Sequence, residues 1–594
     1  MNTNSILRKD WILKNYNEET VSFLKENFNL SEILSKLIAI RNIKIDDVKL
    51  FLNPKIKNYL PNPFILKDME KAVDRTINSI EKKEKIGIFG DYDVDGATST
   101  AILGNYFNEI NQKIEIYIPD RKNEGYGPSK KAFEKLITSG SKLIFTVDCG
   151  TLSYDTIEYS QQRNIDVLVL DHHQSEIDLP KAFSIVNPNR HDDSSKLNYL
   201  CAAGVCFMFL VALNKKLRQL EWFKKNTIKE PDLISYLDLV SLGTVCDVVP
   251  LIGLNRAIVS QGLQVLKNKS NRGLKALKNI CGIESNLNTY HLGYILGPRI
   301  NAGGRVGKCS HGANLLLSRD PKEIFKIASE LETYNKERKI IENNMLKKIE
   351  STIVIDSKEP VIVLSGHNWH GGVIGIIASR LKEKYNKPTV IISVEKDFGV
   401  ASARSILGFD IGTVIINAVQ KNILKKGGGH KMAGGFTIDT NKIQEFKNYI
   451  IKSFSKIKKN LTQTNTLYFD SKIAPSALNE NFLSEINALS PFGPGNPEPR
   501  FVIENLELMK SSIVGEKHIR SLLTARDGSV IKSVTFNAVQ SDLESYLLTK
   551  NRKKFNIFGK LSLNEWKGNK NVEFIIDDIS VNKTINNSVP SSNG

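Results

Sequence analysis

Ile86-Gly87-Ile88-Phe89-Gly90 runs directly into Asp91-Tyr92-Asp93-Val94-Asp95-Gly96. The first five residues read as a short buried strand, and the next six set three carboxylates at alternate positions in a tight loop behind it. Like charges this close repel one another unless a cation sits among them. Two further apolar runs follow, separated by helix-like sequence: residues 143–147, which end at Asp148, and residues 166–170, which end at Asp171-His172-His173. This alternation predicts a parallel sheet with three acidic clusters at the carboxyl ends of adjacent strands, where open α/β sheets place their ligands. Oxygen donors joined by imidazole favour divalent ions of the Mn²⁺ or Mg²⁺ type over zinc or calcium. A calcium loop of the EF-hand kind begins in the same way, but it needs a bidentate Glu at its twelfth position, where Ile102 stands, and a helix where a strand precedes.

Working outward, 594 residues exceed one hydrophobic core and predict several domains. Lysine and arginine outnumber aspartate and glutamate 82 to 64, a formal +18, which suits a polyanionic partner and puts nucleic acid first. The six cysteines contain no Cys-x-x-Cys pair, so neither a zinc site nor a disulfide framework is expected. No stretch is long and apolar enough to cross a bilayer and the N-terminus lacks an apolar leader, so a cytoplasmic location is expected, with no membrane partner.

The domain reading is an N-terminal extension (1–60), a metal-binding α/β domain (61–320), a connecting helix (321–350), a second α/β domain (351–457), a five-stranded β-barrel of the OB type (465–582) and a disordered tail (583–594). Helical spacing over 231–245 would deliver Asp247 into the loop before Pro250. The connecting helix opens with Asp320 as N-cap, Pro321 in the first turn and Glu323 as a capping-box acid, and carries an apolar seam of Ile324, Ile327, Leu331, Tyr334, Ile341 and Met345. Residues 501–508, 518–525, 531–538, 555–563 and 572–581 read as the barrel strands.

Asp91-x-Asp93-x-Asp95-Gly96, Asp148, Asp171-His172-His173 and Asp247, in this order, resemble the four motifs of the DHH phosphoesterase superfamily. The resemblance implies that Asp148 bridges two metals, one completed by Asp91 and Asp93, the other by Asp95, His172 and Asp247. Family members that carry a histidine before the first motif differ here, where Asp91 would replace it. Two such cations, roughly 3.5–4 Å apart, can activate a water and clamp the phosphate that it attacks. His173 would contact the scissile phosphate and Asp171 would orient a histidine, so Asp93, Asp95, Asp148, His172, His173 and Asp247 are the expected catalytic set.

Gly427-Gly428-Gly429-His430 followed by Gly434-Gly435 resembles the signature of the DHHA1 domain, in which backbone N–H groups reach an anion and His430 faces the metals. The segments around Arg121, around Arg299, Asn301 and Arg305, around His370, and around Ser402 and Arg404 resemble the RecJ branch of the superfamily, extending the match from about residue 50 to about 580. Arginine gives permanently charged, bidentate phosphate contacts, which makes these residues expected substrate readers, with Ser402 and Arg404 at a 5′ phosphate. The resemblance implies a 5′-to-3′ exonuclease on single-stranded DNA, releasing 5′-mononucleotides in repair and recombination, a monomer cooperating with a helicase and a single-strand-binding protein. Phe492, Tyr546 and Trp566 are candidate stacking aromatics in the barrel, whose entry the turn Pro491–Asn496 would shape. Two other readings compete: a smaller substrate such as a short oligoribonucleotide or cyclic dinucleotide, for which barrel and extension would be superfluous, and a non-catalytic scaffold, against which the full set of acids speaks.

Overall fold

The structure, a computed structural model, describes residues 5–121, 123–352, 359–458, 466–549, 554–566 and 569–581. The chain forms two compact units, one of Pro61–Val249 with Gly262–Gln463, the other of Met1–Leu60, Pro250–Gln261 and Thr464–Gly594. Of the polar stretch Lys458–Thr466, which reads as a linker, residues 459–465 lie outside the described residues, as does the expected tail, 583–594.

In the larger unit the strands Ile114–Tyr117, Lys85–Gly90, Ser141–Val147, Asp166–Leu170 and Ser184–Val186 lie side by side in that order, all parallel. Ile88, Phe145 and Leu168 on one face and Phe89, Ile144, Val167 and Val169 on the other are buried, the signature of a sheet covered on both faces. The helix Val94–Glu109 begins straight after the first acidic loop. A Cβ on Gly96 would lie 2.5 Å from the Asp91 carbonyl oxygen, so only glycine lets that first turn fold back over the loop. The stretch over 231–245 divides into a 3₁₀ turn, Leu233–Tyr236, and the α-helix Leu237–Cys246, whose C-cap is Asp247.

The connecting helix runs Pro321–Thr352. Asp320 caps it, its Oδ1 accepting the Lys322 N–H at 3.0 Å, but the capping box does not close. The Asp320 N–H already donates to Ser318 Oγ at 3.3 Å, and the Ser318 hydroxyl donates to Glu323 at 2.6 Å, so a serine relay replaces the reciprocal bond. Ile324, Ile327, Leu331 and Met345 are buried along the expected seam, and a polar set absent from that reading, Asn335, Arg338 and Glu342, is buried beside them. Beyond this helix a second sheet orders Lys426–His430, Ala433–Asp439, Phe398–Arg404, Thr389–Glu395 and Ile362–His367, the last two parallel and the others antiparallel. The glycine-rich segment is thus the edge strand of a hairpin.

In the smaller unit Phe501–Val514, His518–Thr524, Val530–Thr535, Asn569–Val581 and Phe555–Trp566 pair in sequence, and Phe501–Val514 also pairs with Phe555–Trp566, closing a five-stranded barrel. Leu24, Leu37, Ile38 and Phe51 from the first sixty residues share one apolar core with Leu506, Ile557 and Phe574 of the barrel. Arg256, fully buried, lies with its guanidinium 3.9 Å from the Phe51 ring centre and donates to the carbonyls of Phe51 and Ser490 at 3.1 and 2.9 Å, holding the start of the Pro491–Asn496 turn.

Leu331 is fully buried on the connecting helix and Phe325 is 66% exposed. Leu331→Ala is expected to cost about 2–5 kcal/mol, and Phe325→Ala within about 0.5 kcal/mol of nothing. Urea midpoints followed by circular dichroism check the contrast.

Candidate two-cation active site

Each acidic side chain is held by a different device. Asp93 caps its helix, its Oδ1 accepting the Gly96 N–H at 3.1 Å. Asp95 is buried and accepts the N–H groups of Ala202 and Ala203 at 2.7 and 2.9 Å, the N-terminus of the helix Ala202–Gln219, where unpaired donors and the helix dipole offset a negative charge. Asp148 takes φ 61°, a left-handed conformation that aspartate tolerates better than most residues and that recurs at functional sites. Asp171 is saturated: it accepts from the Thr151 N–H and hydroxyl at 3.1 and 2.6 Å and from the His172 N–H at 2.7 Å, and its Oδ1 lies 2.7 Å from His173 Nδ1. Burial alone would raise its pKa, but His173, in charge and hydrogen bond, with His172 and Thr151, holds it well below the usual carboxylate range.

His172 Nε2 lies 3.3 Å from Asp148 Oδ1, 3.6 Å from Asp247 Oδ2 and 3.7 Å from Asp95 Oδ2. It is buried without a hydrogen-bond partner, as is Asp91 Oδ1. Ligand atoms gather within 4.8 Å in three overlapping groups: Asp91, Asp93 and Asp148; Asp95, His172 and Asp247; Asp148, His172 and His173. Burial, then the neighbouring Asp93 and Asp95, pushes Asp148 well above the normal carboxylate range, and burial followed by Asp95 and Asp93 raises Asp247 to about 9. Buried donors without partners, oxygen-rich and joined by imidazole, fit hard divalent cations. For His173, burial disfavours the charged form, yet Asp171, then Asp247 and Asp93, outweigh it and raise the ring to about 9. Asp171 therefore orients His173 in particular.

Around this cage stand the expected substrate readers. Arg305 is lowered to about 10 by burial and then by Arg121, Arg338 and Arg404, so four guanidinium groups share one neighbourhood, with Asp93 acting on Arg305 in the opposite sense. Arg305 Nη1 donates to the Gly372 carbonyl at 3.0 Å, and Gly372 N–H donates to His370 Nδ1 at 3.1 Å, which joins the two α/β domains at this point. Arg404 Nη1 donates to Ser402 Oγ at 3.1 Å, and Arg121 lies 5.3 Å over the Tyr92 ring of the acidic loop. The His430 ring lies nearly parallel to His173, centroids 6.4 Å apart. A Cβ on Gly429 would lie 2.4 Å from the Ala433 carbonyl oxygen, whereas one on Gly428 would meet nothing within 4 Å, so Gly428 leaves an open face beside His430. Asn301 is half-buried one turn before Arg305. Arg299 is turned elsewhere: its Nε donates to Glu332 on the connecting helix at 2.5 Å.

Sequence reasoning passed over Arg338, which donates to Glu342 at 2.7 Å from inside the connecting helix, because an arginine in a charged helix reads as solvated. It also passed over Asn187, which donates to Thr151 Oγ1 at 2.9 Å and to the His173 carbonyl at 2.8 Å, and Tyr126, whose hydroxyl donates to the Asp148 carbonyl at 3.1 Å. In the barrel Phe492 packs partly buried against the core and Tyr546 is 40% exposed, while the Trp566 side chain lies outside the described residues. A ring pair there that the sequence did not suggest is exposed Phe536 with half-buried His518, centroids 5.1 Å apart.

Residues 85–244 match the model of the DHH family, N-terminal domain, 358–456 the DHHA1 domain and 469–578 the RecJ OB domain. The single-stranded-DNA-specific exonuclease RecJ of Escherichia coli K12 is 31% identical over 565 residues, spanning 93% of this chain and 96% of its own. The chain belongs to the RecJ family. Crystal structures of RecJ from Thermus thermophilus superpose at TM-score 0.79 with Mn²⁺ and 0.74 with Mg²⁺, at 26% and 25% identity, each over 96% of this chain and over 79% and 78% of their own. The two α/β domains, the connecting helix and the closed barrel are the architecture of that RecJ fold. No helix among the described residues is long and apolar enough to cross a membrane.

Because Asp247 binds a proton more tightly in the folded chain, at about 9, than the ordinary 3.8, its contribution to the stability of chelated protein is complete at acid pH and is lost as pH rises through about 9. The unfolding temperature in chelator is expected to fall between pH 5 and 9, and Mn²⁺ at pH 8 to raise it by mass action. Differential scanning calorimetry of wild type and Asp148→Asn checks both, the variant losing the Mn²⁺-dependent rise.

Proposed function

We propose that this chain is a metal-dependent exonuclease that shortens single-stranded DNA from its 5′ end, releasing 5′-mononucleotides. The observation that carries the reading is the meeting of a cage of buried, partly unpartnered donors with a cluster of arginines in a chain of the RecJ family. Asp91, Asp93 and Asp148 would hold one divalent cation, and Asp95, His172 and Asp247 the other, with Asp148 shared. Mn²⁺ or Mg²⁺ bound there would supply Lewis acidity, polarising the phosphate and lowering the pKa of an attacking water. His173, its ring fixed by Asp171 at 2.7 Å, offers an imidazole N–H donor to a phosphate oxygen. Arg305 and Arg404 with Ser402 and Arg121 bind the strand's phosphates, and the Ser402–Arg404 pair, bonded together at 3.1 Å, is the candidate reader of a terminal 5′ phosphate. His370, Asn301, Gly428, Gly429 and His430 complete that wall, and Arg299, already paired with Glu332, serves through the helix it anchors.

The same reading makes the protein a cytoplasmic monomer that trims strands opened by a helicase and coated by a single-strand-binding protein during repair and recombination, and its six unpaired cysteines suit a reducing compartment.

Digestion of end-labelled single- and double-stranded DNA with Mn²⁺, Mg²⁺ or chelator tests the reading directly. Shortening from the 5′ end of single strands, lost in chelator, is expected; shortening from the 3′ end or preference for duplex would refute it. Asp148→Ala or Asp247→Ala is expected to abolish hydrolysis and leave DNA binding measurable by fluorescence anisotropy. Arg404→Ala should reduce the preference for a 5′-phosphorylated over a 5′-hydroxyl end by roughly tenfold or more, in line with one charge-assisted contact.

A further inference from the structure

Tyr290 and Tyr294 are 58% and 74% exposed, and their rings stack on each other, centroids 5.3 Å apart and planes 25° from parallel. Two large aromatic faces left side by side in water are an unusual use of apolar surface and a suitable one for binding planar, π-rich partners. Tyr294 sits on, and Tyr290 directly before, a π-helical turn, His291–Leu296, that continues without a break into the helix Gly297–Val306. Such turns are rare and frequent at functional sites. Its inner side is fixed against the helix that delivers Asp247: Leu292, Leu296 and Ile300 are fully buried, and the Cys246 thiol donates to the Leu292 carbonyl at 3.4 Å.

The outer side forms one stripe. Tyr290, Tyr294, Pro298, Asn301 and Arg305 follow at intervals of four, four, three and four, the spacing that brings helical residues onto one face. All five are exposed or half-buried, and the stripe ends at Arg305, within the arginine cluster beside the acidic cage. Lys278 lies near enough to His291, next to the pair, for its charge to disfavour a second positive charge there. From Arg305 back to Tyr294 is on the order of 15 Å of helix, a span that about four or five nucleotides cover at B-form spacing and fewer when extended.

We propose that Tyr290 and Tyr294 form a stacking platform for bases of single-stranded DNA a few nucleotides beyond the scissile bond, reached along this helical stripe. The inference rests on the exonuclease reading for its substrate. Stacking on tyrosine takes any base, so the platform would add affinity without sequence preference, and only for strands long enough to reach it.

The test is the length dependence of binding. Affinities of a 5′-phosphorylated thymidine 20-mer and a 5′-phosphorylated thymidine dinucleotide are measured by competition anisotropy in the Asp148→Ala background, where no cleavage intervenes. Tyr290→Ala with Tyr294→Ala is expected to lower the preference for the 20-mer over the dinucleotide roughly 5- to 100-fold, the loss of one or two stacked bases, and Tyr290→Phe with Tyr294→Phe to retain it. An unchanged preference, whether because neither affinity moves or because both fall together as a folding defect would cause, overturns the platform. Loss of the preference in the phenylalanine pair also overturns it, since stacking survives that change. Should the unmodified chain leave every single strand uncut, the exonuclease reading fails while the binding ratio still decides the platform.

Discussion

Four carboxylates, Asp91, Asp95, Asp148 and Asp171, are almost wholly withdrawn from water at one edge of a parallel sheet, and their mutual repulsion is the constraint around which the larger unit is arranged. Burying a single unpaired carboxylate is costly, and burying four together is tolerable only if each charge is compensated locally. Two of them are. Asp171 accepts from Thr151 and from the His172 and His173 backbone and pairs with the His173 ring, and Asp95 closes the start of a helix. Asp91 and Asp148 have no comparable set of donors, and the buried His172 nitrogen facing Asp148 is unpartnered as well. The deficit of positive charge is therefore greatest around Asp91, Asp148 and His172 and extends to Asp247, which Asp95 and Asp93 raise. This localisation says where cations would be accommodated, and it leaves the compensated pair, Asp171 and His173, to hold one imidazole in a fixed orientation beside them.

The arginines solve the opposite problem. Arg305 is disfavoured by Arg121, Arg338 and Arg404, and Arg404 by Arg121, while Glu342 pairs with Arg338, Asp93 acts on Arg305 and the charge of Arg121 reaches Asp91. A region of surplus positive charge thus abuts the acidic cage, held apart from it by the geometry of the backbone: Gly372 ties Arg305 to the second α/β domain, and Ser402 and the Ala403 carbonyl hold Arg404 in place. Pre-ordered charges of this kind need no reorganisation when an anion arrives, and it is in the bound anion that both surpluses are relieved. Glu342, which pairs with Arg338 at 2.7 Å, also accepts from Arg380 of the second domain at 3.1 Å, so one carboxylate ties the connecting helix to that domain.

The sheet and its acidic edge were legible because strand, helix and strand alternate with little ambiguity and because Asp91, Asp148 and Asp171 each stand where an apolar run ends, a place that topology converts into a site. The cap of the connecting helix shows the limit of such reading: Glu323 has the capping-box spacing, yet Ser318 reaches both partners first. The glycine-rich segment could be read as approachable backbone but not as an edge strand, since its pairing with Ala433–Asp439 leaves no periodicity in side chains that are absent. Arg338, Asn187 and the Tyr290–Tyr294 pair were illegible for a shared reason. Their roles depend on which face of an element turns toward which neighbour, and for a half-polar helix or a short loop the pattern of residues leaves that rotation open.

The helix that carries Arg305 also explains why the site is confined so tightly. Gly304 lies with its α-carbon against the Tyr92 ring, where an added Cβ would come within 3.1 Å, and Gly312 of the following helix leaves equally little room beside Ile300, at 2.8 Å. Gly297 stands over the Cys246 thiol in the same way, at 2.4 Å. One helix is therefore clamped at its start against the residue preceding Asp247 and at its end against the residue between Asp91 and Asp93. Displacing it would move Asp247, the acidic loop and Arg305 together, and close packing of this kind favours a fixed register between the proposed cation ligands and phosphate readers, which in-line chemistry demands.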